Sequence, residues 1–355
     1  MKSLKKFKFF GGRVTKTGIA VFMTALICHL LNWPAMFAVI TAIVTIEPTA
    51  ANSIKKAFIR FPASAIGAGF SVLFTFSLGD VPLTYALVSL STIIACYKLK
   101  LHDGTLVATL TGVAMISTVH DYYLSSFFVR LGTTGIGLIV SSLVNLLVMP
   151  PNYSKTITNS IHTLFMKAGD ILIKSGIEVF SDSLSDKELR QEFQRLNKDI
   201  ERTEVFFHYQ KAEWKFHRFN RKDAREFHYE YKKFNILRQI TFHIGNLIYL
   251  PSSHFHLEQQ KKEIIVSILQ SLRATFHSKN FVISEEHHQN IRELTKWFST
   301  HKSFMNTDEQ RTDQQHYLLP ETIVLYEVLS IHDLTEELHH IHCREMQHRQ
   351  LLERS

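Results

Sequence analysis

Between Thr17 and Pro150 the chain carries only ten charged side chains: Glu47, Lys55, Lys56, Arg60, Asp80, Lys98, Lys100, Asp103, Asp121 and Arg130. The rest of that stretch falls into six apolar runs, at about 17–33, 35–51, 62–79, 82–97, 104–120 and 126–149. A bilayer core of about 30 Å needs roughly 20 helical residues to cross, and about 17 at the least. The pattern predicts an all-α chain whose residues 1–150 form a six-helix polytopic transmembrane domain. Several runs sit at or just under the length limit. Two readings stay open for those: thin spans flanked by snorkelling Lys and Tyr, or partly re-entrant segments.

The chain-wide averages conceal this half. Mean hydropathy is near zero and 20% of residues are charged, values that suit an ordinary soluble protein. From Pro151 onward, however, 28 Lys+Arg stand against 28 Asp+Glu, and eleven of the fourteen glycines fall before residue 150. A boundary at Met149-Pro150-Pro151 follows, with 151–355 as a second, cytoplasmic domain. The formal excess of +8 therefore belongs wholly to the first 150 residues. Six of those cations (Lys2, Lys5, Lys6, Lys8, Arg13 and Lys16) precede or open the first apolar run. A basic flank beside apolar spans sets membrane topology, whereas a nucleic-acid partner would need a basic patch on the soluble part, so no nucleic-acid partner is expected. Cys28, Cys96 and Cys343 are too scattered for a disulfide framework. The basic start followed by apolar residues is read as a retained signal-anchor, because further apolar runs follow at once.

Short connections give the orientation. The N-terminal tail, the 50–62 connection (Lys55, Lys56, Arg60) and the 97–103 connection (Lys98, Lys100) are basic, while 32–34, 79–82 and 120–126 hold no Lys or Arg. With six spans every basic connection lies on one side, and both termini are cytoplasmic. Small residues recur every four positions at Ala63, Gly67 and Ser71, and again at Thr133, Gly137 and Ser141. That spacing lets helices approach closely in lipid, within one protomer or between two. Among the polar residues of this half, His29, Glu47 and Arg130 lie farthest from obvious loops, so they are the candidates for a transport path. Asp80, Asp103, His120 and Asp121 read as helix-end residues in reach of water. Asn32, His102 and Asn145 complete the polar set.

The stretch GGRVTKTGIAVFMTAL, followed by FAVITAIVTIEPTAANSIKKAFIRFPASAIGAG, resembles the N-terminal part of the aromatic acid exporter family, within the fusaric-acid-resistance-type membrane proteins. Gly12-Arg13, Lys16-Thr17, Ala42-Ile43, Glu47-Pro48-Thr49, Ser53, Arg60 and Gly67 carry the likeness; many relatives show Gln-Pro-Thr where this chain has Glu-Pro-Thr. The resemblance implies a half-size bacterial member with a C-terminal helical cytoplasmic domain, placed in the plasma or inner membrane. It implies efflux of aromatic or other organic acids, and a homodimer or higher homo-oligomer, since larger relatives hold two membrane modules in one chain. It adds Arg13, Lys16, Pro48, Thr49, Arg60 and Gly67 to the candidate residues. Pro48 is expected to end or kink the second span at Glu47.

In the second half the apolar period becomes helical. Leu189, Phe193, Leu196, Ile200, Thr203, Phe207 and Trp214 make one stripe, and Phe227, Tyr231, Phe234, Leu237, Ile240, Ile244 and Leu247 a second, predicting a helical hairpin. Further helices are expected at 154–180, 255–278, 284–302 and 321–352. Seventeen of the twenty histidines lie here. His332, His339 and Cys343 could share a helix face, but without His-Glu-x-x-His or a second paired site the cluster reads as solvated surface, and no metal is expected. No Walker loop, dinucleotide fingerprint, nucleophile elbow or paired CxxC is present, so no cofactor and no enzymatic activity are expected. The partners this leaves are the lipid bilayer and an organic-acid substrate. A secondary exporter is the first reading, with Glu47 or a membrane histidine as the candidate proton carrier. A membrane-anchored scaffold or sensor that binds a protein partner, and an uncoupled pore, are the alternatives.

Overall fold

The computed structural model describes residues 11–117, 123–148, 150–180, 187–217, 219–250, 258–307 and 320–353. Twelve α-helices make up the described chain, which contains no strand. They form two compact units: residues 1–152 with 209–218, and residues 153–208 with 219–355.

The first unit holds α1 (Gly12–Leu30), α2 (Ala35–Thr45), α3 (Ala50–Leu78), α4 (Pro82–Lys98), α5 (Thr105–Ile116) and α6 (Tyr123–Leu147). One helix coincides with each apolar run, yet among the described residues only α1, α3 and α6 are long and apolar enough to cross a membrane. The 11 residues of α2 and the 12 described for α5 rise only about 16–18 Å at 1.5 Å per residue, roughly half a bilayer core. Residues 118–120, the end of the fifth run, lie outside the described residues.

Two boundaries differ from those read in the sequence. α2 stops at Thr45 rather than near 51, because Ile46 is extended (φ −71°, ψ 105°) and Pro48 disfavours a helical Glu47 and offers no amide donor. α3 starts at Ala50 rather than 62. Thr49 is its N-cap and accepts a hydrogen bond from the Asn52 amide at 3.1 Å, and good helix formers follow. The polar 50–62 segment is thus the amphipathic first part, nearly half, of a 29-residue helix, not a loop.

Much of what this unit buries is small or polar, and much of what it exposes is large and apolar. Ala63, Ser64, Gly67, Ser71, Thr75, Thr133, Gly137 and Ser141 are buried, while Phe58, Phe76 and Leu124 are 78%, 73% and 73% exposed. A water-soluble domain does the reverse; apolar side chains turned outward are what a lipid solvent selects. The two small-residue stripes are contact surfaces inside one chain. A Cβ on Gly67 would stand 2.1 Å from the Ala108 carbonyl oxygen of α5, and one on Gly137 would stand 2.4 Å from the Ala38 oxygen of α2.

The second unit contains α7 (Ser154–Phe180), most of α8 (Lys187–Glu213), α9 (Arg221–Ile248), α10 (Gln259–His277), α11 (Glu285–Thr307) and α12 (Pro320–Glu353). Its core is of the ordinary soluble kind: Phe165, Leu172, Phe234, Leu237, Leu272, Phe276 and Val328 are fully buried. The aromatic stripes of α8 and α9 line this core, with Phe207 packed on Phe227, Tyr231 and Phe234. Among the ion pairs is a buried cluster in which Lys233 of α9 joins Glu230 at 3.1 Å to Glu345 of α12.

Candidate functional site

The extended segment Ile46–Thr49 between α2 and α3 strips backbone groups of their helical partners, and a buried group so stripped needs another. Four side chains meet that need. Arg60, on the third turn of α3, donates Nη1 to the Val44 oxygen at 3.1 Å, Nε to the Asp103 oxygen at 3.3 Å and Nη2 to the Glu47 carboxylate at 2.9 Å. Arg13 of α1 donates to the Ile46 oxygen at 3.2 Å. Asn145, near the end of α6 and fully buried, sends its amide to the oxygens of Glu47 (3.0 Å) and Thr49 (3.1 Å) and to Ser53 Oγ (2.8 Å). Ser53 Oγ also accepts from the Glu47 amide at 3.1 Å and donates to the Thr45 oxygen at 3.0 Å. Lys16 of α1 orients this network by donating to Asn145 Oδ1 at 2.8 Å.

Charge is balanced at the same place. Glu47 faces Lys56 at 3.2 Å as well as Arg60. Glu213, in the 209–218 segment of this unit, is 2% exposed and accepts from the Ala50 amide at 2.6 Å. An anion there complements both an orphan amide and the positive end of the α3 dipole. His217, 3.0 Å from Glu213, bonds through Nε2 to the Leu146 oxygen at 2.8 Å, one of the carbonyls left over at the end of α6. The junction is therefore a lock that ties the starts of α1 and α3, the end of α6 and residues 209–218 together.

Arg130 occupies a different setting. It lies on the second turn of α6, fifteen residues from Asn145, or about 22 Å along a helix. The side chain is buried, its Cζ lies 3.5 Å from the Phe37 ring centroid, and Nη2 donates to Thr111 Oγ1 at 3.1 Å. Hydroxyls continue from there: Thr111 to Ser64 at 3.2 Å, and Ser64 to Thr134 at 3.3 Å. Nε and Nη1 are buried and have no hydrogen-bond partner among the described residues. A guanidinium desolvated without an anion costs free energy, and its planar fork matches a carboxylate.

Of the residues singled out in the sequence, Arg13, Lys16, Glu47, Pro48, Thr49 and Arg60 converge on the α2–α3 break. Gly67 is a packing residue against α5. His29 stands apart, exposed in the last turn of α1, and Glu47, Arg130 and His29 share no hydrogen-bond partner in the described structure. Sequence reasoning counted Asn145 among the polar residues without making it a candidate, and passed over Glu213, His217 and Thr111. A lone amide in LVNLLVM was the one signal for Asn145; nothing marked Glu213 or His217, which act from more than 60 residues away.

Residues 8–148 match the family model described as aromatic acid exporter family member 1. Along nearly its whole length the chain is similar to proteins named UPF0421: one from Bacillus cereus (strain ATCC 10987 / NRS 248) is 43% identical, with 96% of each chain covered. One from Oceanobacillus iheyensis is 38% identical, covering 94% of this chain and 96% of the other. One from Staphylococcus haemolyticus is 36% identical, covering 93% and 96%.

Proposed function

Because the chain belongs to the aromatic acid exporter family, we propose that it is a secondary exporter, not an enzyme, carrying aromatic or other organic acid anions out of the cell. On this reading it is a multi-pass protein of the cell membrane with both termini and residues 151–355 on the cytoplasmic side, working as a homodimer or higher homo-oligomer. One observation supports it most: Arg130, buried among α2, α5 and α6 with two guanidinium nitrogens unpartnered among the described residues. A substrate carboxylate is the natural complement of that fork. An inside-negative potential favours outward movement of an anion by about 2.3 kcal/mol per charge for each 100 mV, so export needs no nucleotide. Glu47, engaged by Arg60 and Lys56, holds the helix junction together.

The test loads cells with a panel of radiolabelled organic acids, aromatic and aliphatic, and compares efflux with and without the gene. Faster efflux of at least one acid is expected. A uniform null across the panel, with the protein confirmed in the membrane, would overturn transport in favour of a membrane-anchored scaffold.

A further inference from the structure

α11 and α12 bring together donors that the sequence scatters over fifty residues. His288 lies on the first turn of α11, and His332 and Glu336 are one turn apart on α12. A ring nitrogen of each histidine and a carboxylate oxygen of Glu336 all lie within 4.8 Å of one another, and His288 Nδ1 is 3.5 Å from Glu336 Oε1. Next to them His287, 1% exposed, sets Nε2 3.1 Å from Nδ1 of His332, with the two rings 5.1 Å apart.

The ordinary alternative is a His–Glu ion pair beside two stacked histidines. It leaves unexplained why a ring nitrogen of His332, an 8% exposed imidazole one turn before Glu336, also lies within 4.8 Å of the donors of His288 and Glu336. We propose that His288, His332 and Glu336 bind one zinc-class divalent transition-metal ion, which staples α11 to α12. Two imidazoles and one carboxylate form a donor set for zinc and its neighbours, and a poor one for magnesium or calcium, which prefer all-oxygen shells. Zinc bonds of about 2.0–2.2 Å put neighbouring ligand atoms roughly 3.3 Å apart in a tetrahedron, so small side-chain rotations close the site. His287 is its positioning residue. When Nδ1–H of His332 donates to His287 Nε2, the remaining His332 nitrogen presents its lone pair, the usual way an outer partner orients a metal-binding imidazole.

Of the cluster flagged by the sequence, His332, His339 and Cys343, only His332 belongs to this group. His339 Nδ1 bonds to the Phe281 oxygen at 3.0 Å and Nε2 lies 3.5 Å from Cys343 Sγ, so both of its ring nitrogens are engaged. The sequence flagged His332 but gave it the wrong companions, because His288 reaches the site from a separate helix.

Full-length protein, purified in detergent and stripped with EDTA, is titrated with Zn²⁺ by calorimetry, and the Co²⁺ form is examined by absorption spectroscopy. One ion per chain is expected, with tetrahedral Co²⁺ d–d bands and no thiolate charge-transfer band. His288→Ala and Glu336→Gln, both at half-buried positions, should each weaken zinc at least about tenfold, and His287→Ala about tenfold; His340→Ala, outside the site, should not. No stoichiometric zinc on the wild type, unaltered affinity in His288→Ala and Glu336→Gln, or a thiolate band would each overturn the site.

Discussion

The Arg60 guanidinium sits 2.9 Å from the Glu47 carboxylate, closing the extended break that lies between them in sequence. The pair is largely shielded, with side chains 8% and 14% exposed. Deleting one member of such a pair strands the other, at a cost of about 3–5 kcal/mol. Arg60→Met also removes the donors to Val44 and Asp103, so it should destabilise more than Glu47→Gln, where Lys56 and Arg60 lose only one acceptor. Thermal unfolding in detergent checks the order. Removing both partners should cost less than the sum of the single changes, and strict additivity would dissolve the lock.

Asn145 is the hinge pin of the same junction. Asn145→Leu keeps the branching of the side chain but takes the shared donor from the Glu47 and Thr49 oxygens and leaves Lys16 only the main-chain oxygen of residue 145. Each buried polar group so orphaned costs about 1–3 kcal/mol, enough to lower the yield of folded protein sharply. Asn145→Asp restores an acceptor for Lys16 but removes both donors, so it should fall between wild type and Leu in melting temperature.

Gly67 tests whether α3 and α5 need backbone contact. A Cβ there would meet the Ala108 oxygen at 2.1 Å, which backbone atoms cannot absorb without separating the helices. Gly67→Ala should therefore destabilise by more than about 1 kcal/mol, although alanine is the better helix former. Gly69→Ala, two residues away with no atom within 4 Å of its would-be Cβ, is the control and should be neutral or stabilising.

These sites show which physics could be read from order alone. Local periodicity was enough for the helices of residues 151–355, because Leu189, Phe193, Leu196 and Ile200 repeat a spacing that only a helix turns to one side. The stripe Ala63–Gly67–Ser71 announced close packing but not its partner α5, since a small side chain leaves no chemical label on what it touches. The start of α3 was misplaced because Lys55, Lys56 and Arg60 look like a loop when polarity is counted without period. The junction chemistry was hidden for a further reason. Asn145 binds the main-chain oxygens of residues 96 and 98 positions away, and main-chain oxygens are the same in every sequence.

The buried cluster on α9 and α12 sets a pH dependence for the second unit. Burial raises the Glu230 carboxyl above its ordinary value of 4.5; the Lys233 charge opposes that rise, while Glu345 adds to it. The folded state then holds a proton that the unfolded state has released over the window between the two values. Stability from this group is present below about pH 4.5 and is lost as pH rises through the raised folded value. Glu230→Gln deletes the titration, so the variant should gain on wild type as pH rises from about 4.5 toward 8. Parallel melting curves across that range would show that Glu230 does not titrate this way.

Arg130 separates function from stability. An unpaired buried cation is a cost to folding, so Arg130→Gln, which keeps a donor toward Thr111 and drops the charge, should melt at or above the wild-type temperature in detergent. Efflux should move the other way. Losing a charge-assisted fork removes at least about 1.4 kcal/mol of carboxylate recognition, a tenfold weaker half-saturation for the exported acid. Arg130→Lys restores the charge without the planar fork and should recover only part of that affinity. A residue that merely fills the bundle would give the opposite signature, lower stability with the half-saturation unchanged, and that result would remove Arg130 from the transport path.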